Sequence, residues 1–217
     1  MKEPCYVPTG IPGLLLIEDF ITEEEEAELM AEVERGEWSG QGSGPNPEMK
    51  RRTQHYGYVF SYRYRRVMSK LGPLPEHVQV VVKRMLDLGV LALPPNSCIV
   101  NEYQPGQGIM PHIDAPTIFG PKIISLSLLS PCLMTFEQVK TREKHDVLLR
   151  PRSLVVMTEA SRFDYKHSIS KELVERFKKL TIERGRRVSL TFRTILSWDG
   201  KDSSPDPPTL DSPHKCS

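Results

Sequence analysis

The chain has 217 residues, 38% of them hydrophobic and 26% charged, which fits one well-cored soluble domain and is short for two. The longest apolar stretch near its start, Gly13–Ile17, falls far below the ~18 residues of a membrane span and lacks a signal-peptide pattern. Cys5, Cys98, Cys132 and Cys216 are scattered without C-x-x-C, which argues against a disulfide framework or a zinc-cysteine site and for a cytosolic or nuclear setting. A net charge of +1 means that any anionic partner must be held by local patches.

Residues 1–11 are broken up by Pro and Gly and are expected to form an N-terminal tail. Leu14–Ile17 then reads as a short strand. Thr22-x-x-Glu25 is a capping box, so a helix should run from about Glu23 to Glu34, with Leu29, Met30 and Val33 as its apolar stripe. The segment 36–47 is rich in Gly, Ser and Pro and predicts a loop. Val78, Val81, Val82 and Met85 fall at i, i+3, i+4 and i+7, which predicts a helix over Glu76–Leu88 with Gly89 at its end and His77 on its surface. From Cys98 onward the period changes to two. Strands are expected at Cys98–Tyr103, Ile123–Leu129, Leu133–Gln138, Asp146–Leu149, Ser153–Thr158 and Arg187–Leu196. The expected fold class is mainly β with flanking helices: a β-sandwich carrying helices on one side, over residues 12–198. Residues 199–217 hold almost nothing that could build a core and predict a disordered tail.

The chemistry concentrates in His112, Asp114 and His167. Two imidazoles and a carboxylate can occupy one face of a ferrous ion and leave the opposite positions open, the facial triad of non-haem Fe(II) oxygenases. His112 and Asp114 stand two apart, so both can point the same way from an extended segment. Pro105, Gly106, Gly108 and Pro111 place the pair near a turn. The 55 residues from His112 to His167 leave room for several strands, which a sandwich needs to bring a distant strand back alongside. Two ordinary polar histidines near strand ends would be the bland alternative.

Arg187-Val-Ser-Leu-Thr-Phe-Arg193 alternates cleanly. Val188, Leu190 and Phe192 belong to a core face. Arg187, Ser189, Thr191 and Arg193 form the other face, where two guanidinium groups need anionic partners and suit a dicarboxylate. Asn101 and Tyr103 stand two apart just before H-x-D and can add an amide and a phenol to the same cavity. The competing reading is a solvated arginine pair on an edge strand.

Taken in order, Asn101-Glu-Tyr103-Gln-Pro-Gly-Gln-Gly-Ile-Met-Pro-His112-Ile-Asp114, Ile124-Ser-Leu-Ser-Leu, Ser153-Leu-Val-Val-Met, His167 and Arg187…Arg193 resemble the AlkB-like Fe(II)/2-oxoglutarate dioxygenases. The resemblance covers about residues 12–196. It implies a double-stranded β-helix (jelly-roll) core, iron on His112, Asp114 and His167, and 2-oxoglutarate held by Asn101, Tyr103, Arg187 and Arg193. Dioxygen would be the third reactant. Arg51-Arg-Thr-Gln-His-Tyr-Gly-Tyr58 looks closest to the eukaryotic branch that includes a tRNA wobble-uridine hydroxylase.

Residues 49–75 hold no Asp or Glu, yet carry Lys50, Arg51, Arg52, Arg63, Arg65, Arg66 and Lys70. Tyr56, Tyr58, Phe60, Tyr62 and Tyr64 alternate through them. On one strand or hairpin they would place five rings on one face, with His55, Arg63 and Arg65 opposite. Aromatic stacking beside basic residues is the footprint of single-stranded or flipped-base recognition. Residues 36–70 are therefore expected to form a nucleotide-recognition lid, with Arg51, Arg52, His55, Tyr56, Tyr58 and Arg63 as its contacts. Lys171, Arg176, Lys178, Lys179, Arg184 and Arg186 form a second basic cluster suited to phosphates. The expected activity is oxidative demethylation or hydroxylation of modified nucleic acid by a monomer without membrane attachment, with RNA or tRNA favoured over DNA. A protein-directed dioxygenase of the same fold and a non-catalytic binding scaffold are the alternatives.

Overall fold

The computed structural model of the protein describes residues 5–198 and Gly200. The chain forms, in order, β1 (Cys5–Val7), β2 (Leu14–Glu18), α1 (Glu23–Arg35), β3 (Arg52–Tyr56), β4 (Tyr58–Ser61), β5 (Arg66–Lys70) and α2 (Glu76–Asp87). The second half runs β6 (Ser97–Tyr103), β7 (Ile109–His112), β8 (Ile123–Leu129), β9 (Cys132–Gln138), β10 (Lys144–Leu149) and β11 (Leu154–Met157). It ends with α3 (Glu159–Phe163), β12 (Tyr165–Ile169), β13 (Val174–Phe177), β14 (Leu180–Glu183) and β15 (Arg187–Arg193).

Seven strands make the larger sheet in the order β1-β2-β11-β8-β15-β6-β3, and β10-β9-β12-β7 make a smaller one facing it. All their pairings are antiparallel. This is the mainly β sandwich expected from the period-two half of the sequence, with the jelly-roll core that the family resemblance implies.

Alternation in the larger sheet divides the core in two. Val100, Leu126, Leu128, Val156, Val188, Leu190 and Phe192 face the helices, packing on Leu29, Met30 and Val33 of α1 and Val78, Val81, Val82 and Met85 of α2. Ile99, Ile123, Val155 and Met157 face the smaller sheet and meet Met134, Phe136, Leu149 and Ile169. Each fully buried side chain of this size contributes about 1.5–3 kcal/mol. The capping box forms as read: the Thr22 hydroxyl accepts from the Glu25 amide at 3.2 Å, and the Thr22 amide donates to the Glu25 carboxylate at 2.8 Å. That carboxylate also takes the Arg84 guanidinium, which ties α1 to α2.

Four expectations change. Cys5–Val7, placed in the N-terminal tail, pairs with β2 as an edge strand. The first half also contributes three strands besides β1 and β2, because β3 extends the larger sheet and β4 and β5 form a hairpin. His77 is half-buried, with its ring edge-on to Tyr56 at 5.7 Å, since its helix turns that side toward the sheet. The five aromatic rings do not share a face. Gly57, at φ +80°, breaks the run between β3 and β4, and resets the alternation. The 199–217 tail lies outside the described residues apart from Gly200.

Candidate metal centre and co-substrate cavity

β7 and β12 are neighbours in the smaller sheet, and their register sets His112 directly opposite His167. The two rings lie 4.3 Å apart between centroids. Asp114 follows β7, and one ligand atom from each of the three residues falls within 4.8 Å of the others. The His112 Nδ1–H donates to the Met110 carbonyl at 2.9 Å, which leaves Nε2 with its lone pair free. Asp114 is buried. Its Oδ1 forms an ion pair with the Arg193 Nη2 at 3.0 Å, while Oδ2 has no hydrogen-bond partner among the described residues. A buried carboxylate oxygen left alone is costly unless a cation meets it. Burial opposes the Asp114 charge, but the neighbouring Arg193 guanidinium outweighs it and holds the carboxyl below its usual range. Burial, with neighbouring positive groups, pushes His167 down to about 3, so it is a neutral imidazole at ordinary pH. A neutral His167 and an ionised Asp114 are in the protonation states a divalent metal requires. The donor set fits Fe(II).

The triad opens into a cavity of about 730 Å³. Arg187, Ser189, Thr191 and Arg193 line it, as do Asn101 and Tyr103 on the adjacent strand β6. β15 lies between β8 and β6, so its arginines are not on an edge strand. Arg187 is 1% exposed, donates to the Ser127 hydroxyl at 2.8 Å, and has its guanidinium carbon 5.4 Å from the centre of the Tyr103 ring. The Nε groups of Arg187 and Arg193 are buried without a partner among the described residues. Two arginines that line one cavity with donor capacity left over fit a small dicarboxylate.

Sequence reasoning missed Arg162, on α3. Its guanidinium, 2% exposed, donates to the carbonyls of Asp114 at 2.7 Å and of Phe119 and Gly120 at 3.2 Å each. It therefore pins the loop that carries Asp114, and a lone arginine in a short helix gives no sequence signal of that. Ser127 was legible in principle, because Ser125 and Ser127 break an apolar run at period two.

The residues expected on the lid separate. Arg51 lines the cavity. His55 lies beneath it, half-buried near Asn46 and Thr53, with burial and Arg193 pushing its pKa down to about 4. Arg52 points to the helix side, where Glu102 takes both its Nε at 2.6 Å and its Nη2 at 2.8 Å. Tyr56 packs on the helix side too, donating to Gln54 at 2.9 Å. Tyr58 meets Trp198 edge-on at 6.0 Å, and Arg63 sits at the exposed hairpin tip over Tyr64. The second basic cluster also divides. Arg184 is buried against Glu175, and Arg186 binds Glu34 and Glu102, so neither is available to phosphate. Lys171 lines the cavity mouth, as do Lys50 and Arg65.

Residues 13–193 match the family described as the 2OG-Fe(II) oxygenase superfamily. The chain belongs to that superfamily. Membership implies Fe(II) as the metal, with 2-oxoglutarate and O2 as co-substrates. It is 35% identical over 211 residues to an Arabidopsis thaliana protein named alkylated DNA repair protein ALKBH8 homolog, covering 86% of this chain and 59% of the relative. It is also 35% identical over 203 residues to the Mus musculus tRNA (carboxymethyluridine(34)-5-O)-methyltransferase ALKBH8, covering 85% of this chain and 30% of that one. The chain thus spans 59% of the first relative's length and 30% of the second's. A solved structure, that of OsALKBH1, superposes with a TM-score of 0.64 at 16% identity, covering 88% of this chain and 99% of the other, and shares the fold. These relatives place the oxygenase in the AlkB-like branch.

Proposed function

We propose that this oxygenase oxidises a modified nucleotide, in RNA in preference to DNA, by demethylation or hydroxylation. The observation that carries the reading is the mouth of the metal cavity. Lys50, Arg65 and Lys171 are exposed there, with Glu48 as the single exposed acid, and the rings of Tyr62 and Phe60 stand behind them. Cations around an aromatic-walled pocket suit a strand whose phosphates stay outside while one base enters. The relatives' names support a nucleic-acid substrate, one DNA and the other tRNA. The second of these favours RNA.

His112, Asp114 and His167 would hold Fe(II), and Arg187, Arg193, Asn101 and Tyr103 would hold 2-oxoglutarate. Held there, they would let O2 act as the oxidant, one oxygen atom going into succinate as 2-oxoglutarate loses carbon dioxide and the other into a substrate C–H bond. The chain's own groups do the rest. Arg193 holds Asp114 by one oxygen and leaves the other for metal. Arg187 supplies a fixed positive charge from a buried position in the cavity wall, where it acts more strongly on a carboxylate than it would in water. Phe119 and Met157 line the inner wall, which limits water around the reacting carbon.

The test is turnover with short RNAs and single-stranded DNAs carrying N-methylated or wobble-modified bases. Succinate release should be coupled to loss or hydroxylation of the modified nucleoside, with RNA faster. Coupled turnover on a peptide but on no nucleic acid would sink the assignment.

A further inference from the structure

Arg51 stands apart from the other basic residues of its segment. Lys50 and Arg65 are exposed, but Arg51 is drawn inward. Its Nε donates to the Asn101 Oδ1 at 3.1 Å. Its guanidinium carbon lies 5.4 Å from the centre of the Tyr62 ring and 5.5 Å from that of Tyr103. Tyr103 therefore has two cations close to its ring, Arg51 and Arg187.

We propose that Arg51 is a positioning residue of the co-substrate pocket, fixing the Asn101 amide and the Tyr103 ring to receive 2-oxoglutarate, and is not a grip on a nucleic-acid phosphate. This rests on the reading of Asn101, Tyr103 and Arg187 as the residues that hold 2-oxoglutarate. The chemistry of the amide carries it. An asparagine end has one acceptor and two donors, whereas a guanidinium only donates. With Arg51 against it, the amide must turn its oxygen to the arginine and its NH2 elsewhere. Among the described residues that NH2 meets only the Ile99 carbonyl, at a long 3.5 Å, so donor capacity remains for an anion. Without Arg51 the amide is free to flip and present oxygen to a carboxylate, which repels it. The stack on Tyr62 and Tyr103 uses the flat guanidinium, so lysine cannot substitute.

The experiment uses the full chain loaded with Mn(II), a probe that binds without turnover, and measures 2-oxoglutarate affinity by calorimetry. Arg51→Met and Arg51→Lys should each weaken 2-oxoglutarate roughly tenfold, the order expected for one lost charge-assisted hydrogen bond. Mn(II) affinity and affinity for a short RNA should stay within about twofold of wild type. In an Asn101→Ala background the further loss on Arg51→Met should shrink to about twofold or less, because the two residues act as a unit. Wild-type 2-oxoglutarate affinity in Arg51→Lys overturns the proposal, even if Arg51→Met does not fold. So does weakened RNA binding with intact 2-oxoglutarate binding, or an undiminished loss in the Asn101→Ala background. Arg187→Met is the control for the underlying reading: if it leaves 2-oxoglutarate affinity intact, the pocket itself is misassigned.

Discussion

Asp114 is held from two directions, by Arg193 on its side chain and by Arg162 on its carbonyl. The arginine strand announced Arg193 as a site residue, though for 2-oxoglutarate and not for Asp114, and an isolated arginine such as Arg162 announced nothing. Arg162→Met removes three hydrogen bonds to the loop at 114–120 and should weaken Mn(II) binding roughly tenfold, by the cost of losing preorganisation around a ligand. A metal titration with unchanged affinity would contradict that role. His55 yields a pH prediction. Burial and Arg193 lower its pKa from the ordinary 6.5 to about 4, so between these values the unfolded chain binds more protons than the folded one. Stability contributed by neutral His55 is therefore present above about pH 6.5 and lost as pH falls toward about 4. Urea midpoints should drop on going from about pH 7 to about pH 5, and the drop should be smaller in His55→Gln. Equal drops in both proteins would rule this out.

Among the elements, the long periodic segments could be read and the short connections could not. The apolar spacing of Val78, Val81, Val82 and Met85 and the capping box at Thr22 fix two helices through local chemistry alone. The alternation in β15 likewise separates a core face from a cavity face. The aromatic run from Tyr56 to Tyr64 misleads because its period continues through a turn. Gly57 changes the strand, and with it the face on which every later ring lies. A Cβ at Gly57 would meet the Asn96 carbonyl oxygen at 2.0 Å, in a backbone conformation that disfavours side chains in any case. Gly57→Ala should thus cost about 2 kcal/mol or more, read from denaturant midpoints, since strain at a special φ adds to the clash. A loss under about 0.5 kcal/mol would show that the turn adapts without strain.

For the whole molecule, charge could be counted in the sequence but not assigned. Arg52, Arg184 and Arg186 look like phosphate ligands until the fold brings Glu102, Glu175 and Glu34 to them. Lys50, Arg65 and Lys171, far apart in sequence, meet at one opening. If those three neutralise RNA phosphates, replacing all three by Gln should make the salt dependence shallower by about 2 in the slope of log affinity on log salt. An unchanged slope would move the nucleic-acid path elsewhere. Among the described residues no helix is long and apolar enough to cross a membrane.

We propose that His112, Asp114 and His167 hold the iron at which 2-oxoglutarate is consumed. The most direct test is anaerobic loading with Fe(II) and 2-oxoglutarate, followed by air and measurement of succinate, in wild type, His112→Ala and His167→Ala, with modified RNA present. Succinate at one equivalent or more per wild-type chain, with background levels in both variants, is the predicted result. Wild-type succinate from either variant would contradict it.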